Sequence, residues 1–305
     1  MVARALVGAL VLALVAAPAF LSPYLRSLAL AILADVVLAV SWSFFSGPTR
    51  YLSLATGAFW GAGAYLTAMV GGGVPWPVPV LLGGTVGFAM ALVVGGLALR
   101  LRGPYFAIFT FGLAELAKHT LIWYETGVTG TVGRLLLTQP GPLTLYYTVL
   151  TLAGLAVGTA LLLRRSRWGS ALVGIGGDEE RAETLGINTT AVKITTFALS
   201  AAFMGAAGAA MAPRWTYIDP QVFNPLVSFQ TVIMALLGGV GSVTGPIVGA
   251  VFLGLASEVL LLNFRSAYLL GLGLTLIVVV LALPSGLAGL WPQRRQSPES
   301  RGRHG

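Results

Sequence analysis

The stretch Leu28–Phe45, LALAILADVVLAVSWSFF, contains one charged residue, Asp35, in 18 positions. A helix of this length rises about 27 Å, close to the ~30 Å hydrocarbon core of a bilayer. A helix on the surface of a soluble protein would carry a broad polar face, which this stretch lacks. It is therefore predicted to cross a membrane as a helix.

Similar apolar stretches recur along the whole chain. Of the 305 residues, 56% are hydrophobic and 9% are charged, and the mean hydropathy is +0.87, which excludes an ordinary water-soluble domain. The 40 Gly and 16 Pro would disrupt soluble helices, but small residues let helices pack closely in lipid. Ten spans are predicted, at about residues 4–21, 28–45, 57–71, 78–99, 104–122, 144–163, 193–212, 227–240, 245–262 and 267–283.

The segment GGVGSVTGP, between the eighth and ninth spans, leaves the number of spans open. The two spans could form one broken or re-entrant element, because non-helical backbone at membrane depth is tolerated where protein buries it. The predicted fold is an all-α polytopic membrane protein with about eight to ten transmembrane helices, some short or broken. Residues 1–290 form the transmembrane domain, and residues 291–305 are predicted to be a disordered cytoplasmic tail.

The positive charge of the chain is distributed between the spans. The formal charge is +8, but the cations are scattered singly, so no basic face for nucleic acid is predicted. If the N-terminus is cytoplasmic, thirteen of the 18 Lys and Arg, Lys193 among them, fall on the cytoplasmic side and five on the other. This asymmetry predicts that both termini are cytoplasmic.

The N-terminal segment has a second interpretation. Arg4, the apolar run Ala5–Ala16 and the triplet Ala17-Pro18-Ala19 imitate a cleavable secretory signal. Because the next apolar span follows almost at once, the first span is expected to be retained.

The residues of the chain do not suggest catalysis or metal binding. The chain contains no Cys and two His, His119 and His304, so neither a catalytic constellation nor a metal site is predicted. The glycine-rich segment GGVGSVTG, residues 238–245, lacks the Lys-Ser/Thr of a phosphate-binding loop, so any ATP is expected to be handled by another chain. Gly245 and Gly249 instead indicate a close helix contact.

Three acids fall within or beside predicted spans: Asp35, Glu115 and Glu258. A charged side chain in hydrocarbon is costly, so each is expected to face protein or water. Glu115 and Lys118 are three positions apart and could neutralise each other. The alternative is a proton relay, which the absence of a continuing series of acids or histidines disfavours.

Charge is concentrated at one point, GIGGDEERAETLGINTT (Gly174–Thr190), in the longest predicted cytoplasmic connection, about residues 164–192. Asp178 can cap a helix, Glu179 and Glu180 suit its first turn, and Gly186 can end it. A helix of two turns is marginal in water, so it should dock against something. The alternative is a solvated loop.

Several segments in order resemble the branched-chain amino acid ABC transporter permeases, LivM-type subunit. The resemblance rests first on WGSALVGIGGDEERAETLGINTTAVKITTFALSAAFMGAAGA, residues 168–209. Further similar segments are LSLATGAFWGAGAYLTAM (52–69), LRLRGPYFAIFTFGLAEL (99–116), TGTVG (129–133), YIDPQVF (217–223) and GGVGSVTGPIVGA (238–250).

The resemblance implies a non-enzymatic permease subunit in the inner membrane of a prokaryote. Its expected partners are a second, LivH-type permease subunit, two cytoplasmic ATPase subunits that use ATP and Mg²⁺, an extracytoplasmic solute-binding protein and membrane lipid. The expected cargo is a branched-chain or related amino acid, with urea or short amides as the alternative. The resemblance also implies that the charged helix couples the permease to the ATPase through Asp178, Glu179, Glu180, Ala182, Glu183, Leu185, Gly186 and Asn188.

The chain departs from the family pattern at Ser170, Gly176 and Gly177, which is expected to make the loop less positive and more flexible. Candidate residues for the translocation path are Ser53, Thr56, Tyr65, Thr110 and Gly239. A Ser or Thr in a membrane helix can instead bond its own backbone. A stand-alone carrier or channel and a membrane-embedded enzyme are the other function classes, and both lack support from ionisable or catalytic residues.

Overall fold

The computed structural model describes residues 2–70, 74–101, 103–136 and 140–263, together with residues 270 and 273. Within these residues the chain is almost entirely helical. The predicted span 267–283, apart from residues 270 and 273, and the predicted tail 291–305 lie outside them. The helices are α1 (Val2–Phe20), α2 (Pro23–Thr49), α3 (Thr56–Val70), α4 (Val78–Ala98), α5 (Pro104–Tyr124), α6 (Pro142–Arg165), α7 (Arg167–Gly177), α8 (Glu179–Thr184), α9 (Thr189–Met211), α10 (Pro225–Gly238) and α11 (Thr244–Asn263).

Short elements connect some of these helices. A π-helical turn, Glu125–Thr129, follows α5, and two 3₁₀ turns, Ala212–Arg214 and Pro220–Phe223, lie between α9 and α10. Strands β1 (Arg134–Leu135) and β2 (Tyr217–Ile218) form an antiparallel ribbon. We call the end of the helix bundle that carries this ribbon the ribbon end, and the opposite end, which carries α7 and α8, the α8 end.

The all-α membrane fold predicted from the sequence is confirmed. Six of the described segments are long and apolar enough to cross a bilayer, and they include α2, α4, α6 and α11. Nine predicted spans coincide with α1–α6 and α9–α11 to within a few residues, since apolar length is a strong signal in lipid. The predicted connection at about 164–192 contains α7 and α8.

Helices α2 and α9 form the centre of the bundle. In each, 72% of the most apolar 18-residue window is buried, against 33% in α4 and α6 and 28% in α11. Helix α9 packs on α2, α3, α4 and α6, and α2 packs on α6, α10 and α11. The outer helices therefore keep apolar surface that only lipid or another apolar subunit can cover.

Glycine allows the closest helix contacts. A Cβ atom at Gly249 would overlap the carbonyl oxygen of Met234, and one at Gly245 would overlap that of Gly239. Helices α10 and α11 thus form a tight antiparallel pair joined by the break at 239–243. The small-residue contact predicted for Gly245 and Gly249 is confirmed.

Helices α3 and α10 are short elements preceded by non-helical backbone. At about 22 and 21 Å, respectively, each is shorter than the hydrocarbon core. Helix α2 ends at Thr49, and Arg50 adopts a left-handed cap with φ 61°. The chain then turns back along α2 as the extended segment 51–55, in which Tyr51, Ser53 and Ala55 are buried. The short elements foreseen among the spans are therefore present, and the break foreseen between the eighth and ninth spans is the turn between α10 and α11.

Glu258 and Glu115 contact polar groups, and Asp35 is influenced by a cation. Glu258 accepts a hydrogen bond of 2.5 Å from the hydroxyl of Tyr24. Asp35 is half-buried and interacts electrostatically with Arg214 at the ribbon end. Glu115 lies 3.5 Å from Nε2 of His119, and in the described part of the chain this contact replaces the predicted pairing with Lys118. The i to i+4 spacing places the His directly above the Glu on the helix.

Candidate functional site

Two helices follow one another in the connection between α6 and α9. Helix α7 was not predicted from the sequence, which indicated only charge and two glycines there. Its N-cap is Ser166, whose hydroxyl accepts a hydrogen bond from Gly169 N at 3.3 Å. The signal that could have revealed it is the spacing of Trp168, Leu172 and Ile175, of which the last two are buried.

Helix α8 has the predicted limits. The carboxylate of Asp178 accepts a hydrogen bond of 3.1 Å from Arg181 N, so Asp178 is the N-cap. Glu179 and Glu180 occupy the first turn, and Gly186 ends the helix with φ +80°. Asn188 then caps α9 by accepting a bond of 3.0 Å from Ala191 N. Side-chain caps thus fix the start of the six-residue helix α8 and the start of α9, which follows it.

The predicted coupling residues separate into an inner and an outer group. Ala182 is 2% exposed and packs in a small apolar cluster with Leu172, Ile175 and Val192. Glu179 also points inward, with 13% of its side chain exposed. The outer face carries Glu180, Glu183 and Leu185, of which Leu185 is 80% exposed. Asp178, Gly186 and Asn188 are exposed as well. Ala182 and Glu179 are therefore turned away from a partner protein, whereas the exposed residues can contact one.

Glu179 joins a buried cluster that the sequence did not indicate. Its carboxylate forms an ion pair with Lys193 Nζ and accepts a hydrogen bond of 2.7 Å from the hydroxyl of Tyr51. Lys193 also donates to the carbonyl of Leu99 at 3.2 Å and to Tyr51 Oη at 3.4 Å, and it lies 4.9 Å from the centroid of the Tyr51 ring. Lys193, counted above among the loop cations, is in fact 3% exposed within α9.

This buried cluster connects four parts of the fold. Glu179 belongs to α8, Lys193 to α9, Tyr51 to the segment between α2 and α3, and Leu99 to the end of α4. A cavity of about 440 Å³ lies beside it, bounded in part by Gly95 and Arg100. The cluster is therefore the junction between the charged helix and the membrane helices.

The structure places Gly176 in a helix and not in a loop, and the expected flexibility of the connection stays a prediction. Gly176 is part of α7, and a Cβ atom there would overlap the carbonyl oxygen of Pro48. Its role is to let α7 approach the end of α2. Gly177 and Ser170 are exposed, and a Cβ at Gly177 would have open space around it.

Three of the five candidate path residues lie close together inside the bundle. Thr110 Oγ1 accepts a bond of 3.0 Å from Leu54 N, next to Ser53 in the extended segment. Thr110 also donates to Phe106 O of its own helix, which is the alternative foreseen for such residues. Thr56 begins α3 and is fully buried, and its Oγ1 has no partner among the described residues.

The depth of this group follows from its neighbours. Trp42 donates a bond of 2.8 Å to the carbonyl of Ser53 and lies seven residues, about 10 Å, before the end of α2. On the other side, Gly57 N donates to Ser228 Oγ at 2.8 Å, in the first turn of α10. Ser53 therefore lies about 10 Å inside the α8 end, and the N-terminal ends of α3 and α10 meet deeper in the bundle.

The other two candidate path residues lie elsewhere. Tyr65 packs against Phe223 in a separate apolar cluster near the ribbon end, with ring centroids 6.4 Å apart. Gly239 follows α10 with φ +94° and serves the turn into α11. The structure thus groups Ser53, Thr56 and Thr110 and separates Tyr65 and Gly239 from them. Within the described ranges, no three His, Cys, Asp or Glu residues lie close enough to hold a metal ion.

Residues 24–283 match the family described as the permease component of branched-chain amino acid transport systems. The chain belongs to this permease family. It is 28% identical to the high-affinity branched-chain amino acid transport system permease protein LivM of Salmonella typhimurium, over 83% of this chain and 67% of that protein. It is also 28% identical to LivM of Escherichia coli K12, over 92% of this chain and 74% of that protein.

A second type of permease is also similar to this chain. The permease protein LivH of Escherichia coli K12 is 32% identical over 133 residues, which is 42% of this chain and 42% of that protein. No solved structure matches the chain. The permease family and the apolar helices identify a multi-pass membrane protein of an ABC transport system.

Proposed function

We propose that this permease is the translocation subunit of an ATP-driven importer for branched-chain or related amino acids. It pairs with a LivH-type permease subunit, and two cytoplasmic ATPase subunits bind the ATP and Mg²⁺. An extracytoplasmic binding protein delivers the solute at the ribbon end. The α8 end and both termini face the cytoplasm of a prokaryotic cell, in agreement with the excess of Lys and Arg predicted for that side.

The exposed outer face of α8 is the observation that carries this proposal. A helix of six residues, about 9 Å long, is marginal in water by itself. Its inner face packs on α7 and α9 through Ala182. Its outer face presents two acids, Glu180 and Glu183, beside the exposed Leu185. An apolar side chain surrounded by charges suits a groove in a partner protein, and we assign this groove to the ATPase.

The docking assignment is tested by co-purification of the permease with the ATPase encoded beside it. Reversing charge with Glu180→Lys and Glu183→Lys, or introducing charge with Leu185→Glu, should reduce the bound ATPase and ATP-driven uptake together. Leu135→Glu is the matched control for ATPase association, because Leu135 is also an exposed leucine but lies at the ribbon end. If the α8 variants bind as much ATPase as this control and keep the uptake of the unchanged protein, α8 is not the docking helix.

We also propose that the solute passes the group formed by Ser53, Thr56 and Thr110. The hydroxyl of Thr56, which has no partner in the described part of the chain, supports this location, because a buried polar group without a partner is costly unless another group uses it. Thr56→Val keeps the shape of the side chain and should lower uptake without loss of ATPase binding. An unchanged uptake rate would move the path elsewhere.

The identity of the solute is tested separately on the binding protein. Calorimetry with leucine, isoleucine and valine should show binding to the cognate receptor, and urea and acetamide should give no signal. Binding of urea or a short amide alone would assign the importer to those solutes and leave the role of α8 intact.

A further inference from the structure

A buried charge pair lies under α8, at a position where apolar side chains would cost less free energy to bury. Lys193 is 3% exposed and Glu179 has 13% of its side chain exposed. Removing two charges from water is costly, and well-packed apolar residues can often replace such a pair without loss of stability. Stability alone therefore does not account for Lys193. The pair adds a directional bond. This bond fixes one arrangement of α8, α9, the segment 51–55 and the end of α4.

The other contacts of α8 are less suited to transmit motion. Ala182 contacts Leu172, Ile175 and Val192 through apolar surfaces, which have no preferred direction. Glu183 accepts a bond of 2.7 Å from Thr189, the first residue of α9, and this bond links α8 to α9 alone. The pair between Glu179 and Lys193, by contrast, also reaches Tyr51 and the end of α4.

The pair also leads to the candidate path. Tyr51 donates to Glu179 at 2.7 Å and accepts from Lys193 at 3.4 Å. Ser53 follows Tyr51 by two residues, and Trp42 and Thr110 hold this segment through its backbone. A displacement of α8 is thus passed to Tyr51 through the two hydrogen bonds of its hydroxyl group. From Tyr51 it passes along the extended backbone to Ser53, in the segment that precedes α3.

We propose that Lys193 is the positioning residue that couples α8 to the membrane helices, with Tyr51 as its link to the start of α3. This inference rests on the proposed docking of the ATPase at α8. Movement of α8 on ATP binding draws Glu179, and the pair moves α9, the end of α4 and the segment 51–55 as one body. Loss of the pair leaves α8 docked but disconnected, so ATP is hydrolysed without transport.

The test uses the complete importer in proteoliposomes, with the binding protein and leucine as the transported probe. The variant combines Lys193→Met with Glu179→Gln, which removes both charges of this pair and nearly keeps the side-chain lengths. ATPase co-purification should equal that of the unchanged protein. The number of ATP molecules hydrolysed per leucine accumulated should rise about tenfold or more, within the usual range of coupling between sites. A ratio within about twofold of the unchanged value overturns the proposal.

A matched control separates coupling from general loosening of the protein. Glu125→Gln with Arg134→Met removes another pair, whose carboxylate is 1% exposed and whose atoms lie 3.4 Å apart near the ribbon end. This control should leave the ratio of ATP to leucine unchanged. An equal rise in the control would overturn the proposal, because the effect would then follow from any lost ion pair.

A milder variant keeps the test decisive if the double variant does not assemble. Tyr51→Phe removes one hydroxyl and leaves the pair of Glu179 and Lys193 in place. The ratio of ATP to leucine should rise about threefold to tenfold, and an unchanged ratio overturns the proposal. Failure of the docking proposal is distinguishable from failure of the Lys193 proposal. If the docking proposal fails, Leu185→Glu still binds the ATPase. If the Lys193 proposal fails, the ATPase stays bound and the ratio of ATP to leucine is unchanged.

Discussion

Gly87 is the position at which α4 approaches the backbone of α9, and Gly87→Ala should destabilise the bundle. A Cβ atom at Gly87 would lie 2.5 Å from the carbonyl oxygen of Ala201 and 3.2 Å from its carbonyl carbon. A carbon and an oxygen normally approach to about 3.3 Å, so the two helices must separate locally by about 0.8 Å. Both atoms belong to the backbone of α9, so no side-chain rotation can relieve the overlap. Overfilled interiors of this kind lose about 1–3 kcal/mol.

The assay is thermal unfolding of the purified protein in detergent, followed by tryptophan fluorescence. The expected loss corresponds to a decrease in Tm of roughly 2–12 °C. Gly96→Ala is the control within the same helix, since a Cβ atom at Gly96 has open space within 4 Å. This control should keep or raise Tm, because Ala favours a helix over Gly by about 1 kcal/mol. If Gly87→Ala melts with the control, the close approach of α4 and α9 is not as described.

Three further predictions concern the α8 end and the segment before α3. The chain contains no Cys, so a single introduced Cys can be labelled with a membrane-impermeant maleimide. Leu185→Cys should react only in inside-out vesicles and Leu135→Cys only in right-side-out vesicles. Labelling of both from one side refutes the orientation. Asp178→Ala removes the cap of α8 at a cost of about 1 kcal/mol, so ATPase retained in pull-downs should fall about fivefold and recover in Asp178→Asn. Trp42→Phe leaves the buried carbonyl of Ser53 without its donor at a cost of about 1–3 kcal/mol, which should lower Tm, and an unchanged Tm contradicts the bond.

The bounds of the membrane helices could be read from the sequence because lipid imposes one demand on every span. Each must bury about 20 residues of backbone in internal hydrogen bonds, so apolar length is sufficient to locate it. The span predicted at 104–122 is α5, Pro104–Tyr124, with Pro at its first position. Helix α7 escaped this reasoning because it lies outside the apolar spans. Its glycines weaken the amphipathic pattern on which its recognition would depend.

The depth of the candidate path could not be predicted in the same way. Ser53 and Thr56 were selected as polar residues just before the span predicted at 57–71. The position of Ser53 about 10 Å inside the bundle depends on Trp42 and Thr110, which are 11 and 56 residues away from the backbone atoms that they bind. Tyr65 lies nine residues, about 14 Å, beyond Thr56 along α3, and this distance places it near the ribbon end.

Lys193 shows why one cation can be misread. A Lys at the start of an apolar span is typical of the positive residues that fix orientation, and its partners Glu179 and Tyr51 lie 14 and 142 residues earlier. Taking it from the thirteen cations predicted for the cytoplasmic side leaves twelve against five, so the predicted orientation does not depend on it. Lys193 is buried, is held by the carboxylate of Glu179 in α8, and is not required for the orientation. Coupling between α8 and α9 therefore explains this cation better than topology does.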